Sequence, residues 1–213
     1  MNATHILAIR HGETDWNIAG RIQGHTDIPL NATGIQQAEK LASSLADAPL
    51  AHIYSSDLLR AWATAQALAQ CNGVPLTTHA GLRERCFGIY EGQRFVDIEA
   101  SHPEDALRWR KRDPAFAPSQ GESLQTLLTR VSETVTAMAA AHLGQHIAIV
   151  AHGGVLDSLY RLATHQGLQA PRTWELGNTS INRLLWTPDS GLTLVGWGDT
   201  SHLQRSGLDE IGT

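Results

Sequence analysis

The chain has 213 residues, a length that a single α/β domain fills and that buries roughly 70% of the surface its unfolded chain exposes. Hydrophobic residues make up 42% and charged residues 17% of it, which excludes a disordered chain. The formal net charge of −5 excludes a global attraction to nucleic acid or to an anionic membrane, so any basic chemistry has to be local.

Residues 6–9, Ile-Leu-Ala-Ile, form a short apolar run that ends abruptly in Arg10-His11-Gly12, as strands buried on both faces of a parallel sheet do. Residues 33–46 place Ile35, Ala38, Leu41, Ala42 and Leu45 on one helical face. A second strand is predicted at 52–55. An alanine-rich helix over 58–69 follows, with Asp57 as its N-cap, and a short strand over 75–79. The stretch 83–120 is irregular, rich in arginine, and holds a short helix at 105–112 that stops before Pro114. Ser123 opens the clearest helix, whose stripe of Leu124, Leu127, Leu128, Val131, Val135 and Met138 runs to about His142. Residues 147–151 repeat the buried-strand pattern and again end in His152-Gly153-Gly154, and a helix over 155–163 follows. The segments 181–186 and 192–197, separated by Pro188-Asp189-Ser190-Gly191, read as a hairpin. The tail after Leu203 reads as short and frayed.

Alternating strands and helices predict an α/β fold, a three-layer α/β/α sandwich with a mostly parallel central sheet. One domain over 1–213 is expected, with an irregular insertion at about 83–122 that covers the substrate site. Cys71 and Cys86 are too few for a disulfide framework or a zinc set. The N-terminal residues lack a basic stretch followed by a long apolar run, so no signal peptide is read. No window nears the ~18 consecutive apolar residues that a spanning helix needs. A soluble, cytoplasmic protein is the expectation.

Two segments share one pattern of buried strand, His-Gly and turn into a helix, at 8–12 and 149–153. In open α/β sheets ligands bind at the carboxyl ends of strands, and glycine-bearing turns there offer backbone N–H groups to an anion. Arg10 adds a planar fork suited to phosphate oxygens, and the stretch 55–60, Ser-Ser-Asp-Leu-Leu-Arg, adds Arg60 after another strand. Should these loops converge, two arginines and two histidines surround one anion. Spacing alone leaves the other reading open, in which both histidines are satisfied strand-end residues and both arginines solvated charges. No metal motif is visible: His142 and His146 stand four apart, but Gly144 interrupts the helix between them.

Several stretches, in order, resemble the histidine phosphatase superfamily, phosphoglycerate-mutase-like branch. They are Arg10-His11-Gly12-Glu13-Thr14 with Asn17, the loop 21–30, the stretch 55–64, Leu82-Arg83-Glu84, Gly121-Glu122-Ser123 and Val150-Ala151-His152-Gly153-Gly154. The resemblance spans about 5–203. It implies that neutral His11 attacks phosphorus and forms an N-phosphoryl intermediate. It further implies that Arg10, Arg60 and His152 hold the equatorial oxygens, with help from Asn17, from Gln23 and Gly24 of the substrate loop, and from Gly153. Glu84 is implied to protonate the leaving oxygen and then deprotonate the attacking water. For Glu84 the competing role is an ion pair with its neighbours Arg83 and Arg85.

The same pocket serves phosphatases and cofactor-dependent phosphoglycerate mutases. Mutases usually carry Glu-Arg-His-Tyr-Gly where this chain has Glu84-Arg85-Cys86-Phe87-Gly88, a text closer to the small-molecule phosphatases. A metal-independent phosphomonoester hydrolase is therefore expected, acting on a small, acidic phosphometabolite without a cofactor. Against this, the run 108–112 with Arg110 and Lys111 resembles the basic pair with which mutases hold a substrate carboxylate, or else is a solvated helix face with Trp109 packed inward. In the mutase alternative, 2,3-bisphosphoglycerate is the cofactor. A non-catalytic binding module of the same fold is disfavoured because Arg10, His11, Arg60, Glu84 and His152 all match. Trp16 and His25 are candidate pocket walls, and a homodimer is a possibility the resemblance raises.

Overall fold

In the computed structural model, which describes residues 2–204, six strands form one sheet in the order β3-β2-β4-β1-β5-β6. Strands β1 (Thr4–Arg10), β2 (Leu50–Ser55), β3 (Leu76–Thr78) and β4 (His146–Ala151) pair in parallel. Strands β5 (Ile181–Thr187) and β6 (Gly191–Asp199) are the anticipated hairpin, and β5 pairs antiparallel with β1. Only β5 therefore runs against the others, so the sheet is mostly parallel as predicted.

The helices are α1 (Asp15–Ile18), α2 (Ala32–Ser44), α3 (Leu59–Asn72), α4 (Phe95–Ser101), α5 (Pro103–Arg110), α6 (Leu124–Ala140), α7 (Gly153–Thr164) and α8 (Ser201–Gln204). Strand β4 shows why three layers form. Ile147, Ile149 and Ala151 pack with Leu127, Val131 and Val135 of α6 and Val155, Leu156 and Leu159 of α7. Ala148 and Val150, on the opposite face, pack with Leu41 of α2 and Ala61, Ala65 and Leu68 of α3. Period-two alternation in a run that is apolar throughout thus serves two cores at once.

Local chemistry sets the helix starts. Asn31 accepts from Gly34 N at 2.8 Å to cap α2, and Ser123 accepts from Thr126 N at 3.0 Å to cap α6, as read from sequence. Helix α3 departs from prediction. Asp57 does not cap it, because its carboxylate takes a two-pronged bond from Arg83 at 2.8 and 2.6 Å. The first turn is satisfied from outside by Asp27, whose Oδ1 accepts from Leu59 N at 2.7 Å. A cap supplied by a distant loop has no local sequence signal.

The stretch after Arg83 is more ordered than its sequence suggested. A 3-10 turn lies just before it at Ala80–Leu82 and another within it at Gly88–Tyr90, and α4, which was not predicted, precedes α5. Helix α5 begins earlier than expected because Pro103 takes its first turn, and it ends before Arg112, whose φ is +51°. Buried Tyr90, Ile98 and Phe116 anchor a small third cluster with Phe87 and Trp109 against it. The tail read as frayed lies, beyond residue 204, outside the described residues. No helix in the described part is long and apolar enough to cross a membrane.

Candidate active site

The carboxyl ends of β1, β2 and β4 meet at one point above the sheet. His11 N donates to Ala151 O at 3.0 Å and Ser56 N to Val150 O at 3.0 Å, which ties the three loops to one strand end. The two His-Gly motifs therefore converge, with the imidazole centroids of His11 and His152 5.2 Å apart. Close backbone approach makes this possible. A Cβ on Gly12 would stand 2.6 Å from Gly34 O, so the loop after His11 lies directly against the start of α2.

His11 is almost wholly buried, and its Nδ1 lies 2.7 Å from Gly12 O. A carbonyl only accepts, so Nδ1 carries the proton and Nε2 holds the free lone pair. Burial, reinforced by the charges of Arg10 and Arg60, holds the imidazole well below its ordinary pKa and therefore neutral. His152 is fully buried with no partner for either ring nitrogen among the described residues, and it too is held well below its ordinary value, by burial and then by Arg60.

Arg60 is fully buried without a carboxylate partner: its Nη1 donates to Thr26 O at 3.0 Å and its Nη2 to Gly24 O at 2.7 Å. Arg10 reaches Leu176 O, and the Nε of each guanidinium is buried without a partner among the described residues. Burial lowers the pKa of both arginines, and the charge of Glu84 opposes that shift. Two buried, incompletely paired guanidiniums are costly unless an anion joins them. Thr64 locks this corner, accepting from Gly12 N at 3.0 Å and donating to Arg60 O at 2.8 Å.

Glu84 faces the same cleft. Gly154 N, at the start of α7, donates to both its carboxylate oxygens at 3.0 Å, and Arg85 N donates at 2.8 Å. Neither neighbouring side chain pairs with it: Arg83 binds Asp57, and Arg85 is buried on the carbonyls of Glu122 and Phe116. The ion-pair role thus falls away. Glycine at 154 leaves room for this carboxylate, since a Cβ would lie 2.3 Å from Glu84 Oε1 and displace it.

The cleft, about 180 Å³, is lined by Arg10, His11, Asn17, Gln23, Gly24, Arg60 and Glu84, all singled out from sequence, and by Arg21, Ile22 and Phe87, which were not. Asn17 closes the capping box of α1, with its Oδ1 accepting from Thr14 N at 3.0 Å, which leaves its amide nitrogen as donor to the cleft. Gln23 Oε1 is buried without a partner. Gly153 sits beside Glu84 in the adjoining cavity, where a Cβ would lie 3.7 Å from Glu84 Oε2.

Arg110 and Lys111 do not reach the cleft. Arg110 pairs with Glu99, and neither residue lines the cavities at this end of the sheet. Helix α5 is oriented by Trp109, which stacks on Phe87 with ring centroids 5.0 Å apart, and that packing turns its basic face to solvent. Trp16 packs on Gly92 rather than lining the cleft. His25 acts one step back, with its Nε2 2.8 Å from Glu84 O. His142 binds Tyr54 and Gln145, and His146 stacks on His5. Among the described residues no group of three or more His, Cys, Asp or Glu is gathered as a metal would need.

Sequence reasoning missed Glu91. Its carboxylate accepts from His25 N, Thr26 N, Thr26 Oγ1 and Phe87 N at 2.7–3.0 Å, joining the 21–30 loop to the loop after Glu84. Gly24, at φ +54°, is the place where that carboxylate fits, because a Cβ would stand 2.1 Å from Glu91 Oε1.

Comparison with known proteins places this geometry. The sequence profile of the histidine phosphatase superfamily (branch 1) matches residues 6–200. Phosphoglycerate mutase-like protein 4 of Arabidopsis thaliana is 37% identical over 97% of this chain and 90% of its own length. The metal-independent phosphoserine phosphatase of the same plant is 34% identical over 98% and 87%. The solved structure of Bacillus stearothermophilus YhfR superposes with a TM-score of 0.86 at 30% identity, over 94% of this chain and 99% of that one. The chain belongs to the histidine phosphatase superfamily, as its motifs implied.

Proposed function

We propose that this histidine phosphatase hydrolyses the phosphomonoester of a small, acidic metabolite through a phosphohistidine on His11, without a metal ion. His11 Nε2 attacks phosphorus as the P–O bond to the leaving group breaks, and Glu84 gives the departing oxygen a proton. Water then attacks the N-phosphoryl group, Glu84 takes its proton, and inorganic phosphate leaves neutral His11 behind. Arg10, Arg60 and His152, with the Asn17 amide, hold the phosphoryl oxygens and meet the charge that builds on them. Gln23, Gly24 and Gly153 shape the surrounding wall.

One observation carries the reading: the bond from His11 Nδ1 to Gly12 O leaves Nε2 as the free lone pair on a ring that lines the cleft with Arg10 and Arg60, its centroid 5.2 Å from that of His152. The guanidiniums supply the charge that a metal supplies elsewhere. Both the mutase-like and the phosphoserine-phosphatase relatives are named for phosphate esters of small acids, which supports an acidic substrate. The text Glu84-Arg85-Cys86-Phe87-Gly88 favours the hydrolase over the mutase, and Arg110 and Lys111 take no part in the cleft.

The test is hydrolysis of p-nitrophenyl phosphate in excess EDTA, by the wild type and by His11→Ala. Turnover that falls by about 10³-fold or more in the variant supports the mechanism. Equal turnover in both excludes His11 as nucleophile. Negligible turnover in both turns attention to phosphoglycerate isomerisation in the presence of 2,3-bisphosphoglycerate.

A further inference from the structure

Beside the phosphate cleft lies a second cavity of about 230 Å³, and the two share Glu84 and Phe87 as a common wall. The second adds Arg112, Arg172 and Asp157 over a floor of Trp109, Leu124 and Leu127. If Glu84 meets the leaving oxygen, the atoms beyond that oxygen pass it and enter this cavity. What the cavity offers them is positive charge.

Arg112 is held in place before any ligand arrives. Its Nε donates to Leu168 O at 2.8 Å and its Nη2 to Asp157 Oδ2 at 2.6 Å, while Nη1 has no partner among the described residues. Its backbone sits at φ +51°, in the left-handed region, a costly conformation for arginine that these anchors hold. Asp157 does not neutralise the cavity, because the same Oδ2 also takes Arg161 Nε at 3.0 Å. Arg172 is exposed on the loop before β5, makes no ion pair among the described residues, and lies close enough to Arg10 for its charge to oppose that guanidinium's. Arg85, whose pKa burial pushes down to about 10, stands behind them over the Phe87 and Trp109 rings.

We propose that Arg112 and Arg172 form a carboxylate-binding subsite for the leaving group, so that the enzyme selects phosphate esters of small carboxylic acids. Arg112 follows the end of α5, Arg172 lies on the loop before β5, and both line the cavity that meets the phosphate cleft at Glu84 and Phe87. They replace Arg110 and Lys111 in the role that sequence gave those residues. The subsite rests on the phosphomonoesterase reading for the direction in which the leaving group lies.

A matched pair of esters tests it: 3-phosphoglycerate and glycerol 3-phosphate differ by a carboxylate in place of a hydroxymethyl group. Their affinities would be measured by calorimetry on the non-turning His11→Ala chain, alone and combined with Arg172→Gln, Arg112→Gln or Arg110→Gln. Kinetics would give the ratio of their kcat/KM values with His11 intact. The His11→Ala chain is expected to favour the acid, and Arg172→Gln to cut that preference about tenfold, the effect of losing one close charge partner. Arg110→Gln removes an equal charge outside the cavity and is expected to leave the preference within about twofold. Arg112→Gln also strips a partner from Asp157, so a thermal melt accompanies it; Arg172, with no ion pair to lose, decides the matter if that variant unfolds. A preference that Arg172→Gln leaves unchanged, or that Arg110→Gln lowers equally, overturns the subsite. A wild type that hydrolyses neither ester, nor an aryl phosphate, counts against the hydrolase reading alone, because the binding preference still reports on the two arginines.

Discussion

Two buried neutral histidines should make the fold sensitive to acid in a measurable way. His11 is 3% exposed and His152 fully buried, and burial followed by the neighbouring arginines holds both well below the ordinary histidine value. In the unfolded chain each takes up a proton at about 6.5. Below that pH the unfolded state binds more protons than the folded one, so stability falls as pH falls. From pH 7 to pH 5 the linkage relation gives up to about 2 kcal/mol for each histidine and up to about 4 kcal/mol for the pair. Urea unfolding at pH 7, 6 and 5 on wild type, His11→Gln, His152→Gln and the double variant isolates this contribution, since all other titrating groups are common to the four chains. Each single variant is expected to lose up to about 2 kcal/mol less than wild type over that interval, and the double variant about twice as much less. Parallel profiles would refute the reasoning. They would mean that both histidines titrate in the folded protein as they do in the unfolded chain, so that burial does not keep them neutral below about pH 6.5.

Two further substitutions probe the supports of the site. Gly154→Ala puts a Cβ 2.3 Å from Glu84 Oε1, so steady-state assay is expected to show kcat down about 10²-fold or more. Adding Glu84→Gln should bring little further loss, because both changes disable one proton carrier. Glu91→Gln replaces an acceptor of four hydrogen bonds by a group with donors of its own, and should cost about 1–3 kcal/mol in urea at pH 7. Burial pushes the Glu91 carboxyl up, but the bonds from His25, Thr26 and Phe87 outweigh it and hold its pKa below the ordinary value. A depressed folded pKa gives stability that is present above the unfolded value, about 4.3, and lost as pH falls through the folded one. The difference between wild type and Glu91→Gln should accordingly shrink as unfolding is followed below pH 4.

How far the sequence spoke depended on whether a residue's role is set by its own segment. The strand ends before His11 and His152 were legible because an apolar run has to stop where the chain leaves the sheet, and in this fold the ligand sits at that point. Arg60 and Glu84 were readable through ordered motifs, although nothing local says that Arg60 is fully buried between the Gly24 and Thr26 carbonyls. The failures share one cause. Asp57 was assigned to α3 as a cap, yet Arg83, 26 residues away, takes its carboxylate. For Arg110 and Lys111 the sequence left two readings, a substrate contact or a solvated helix face with Trp109 packed inward, and the stacking of Trp109 on Phe87, which spacing along one helix does not encode, gives the second. Glu91, and the pair of Arg112 and Arg172, fall in the same class, since each joins loops that are remote in sequence. Within this fold, the chemistry on phosphorus is thus carried by motifs that are read locally. The proposed choice of leaving group rests instead on long-range packing around Glu84, which those motifs do not encode.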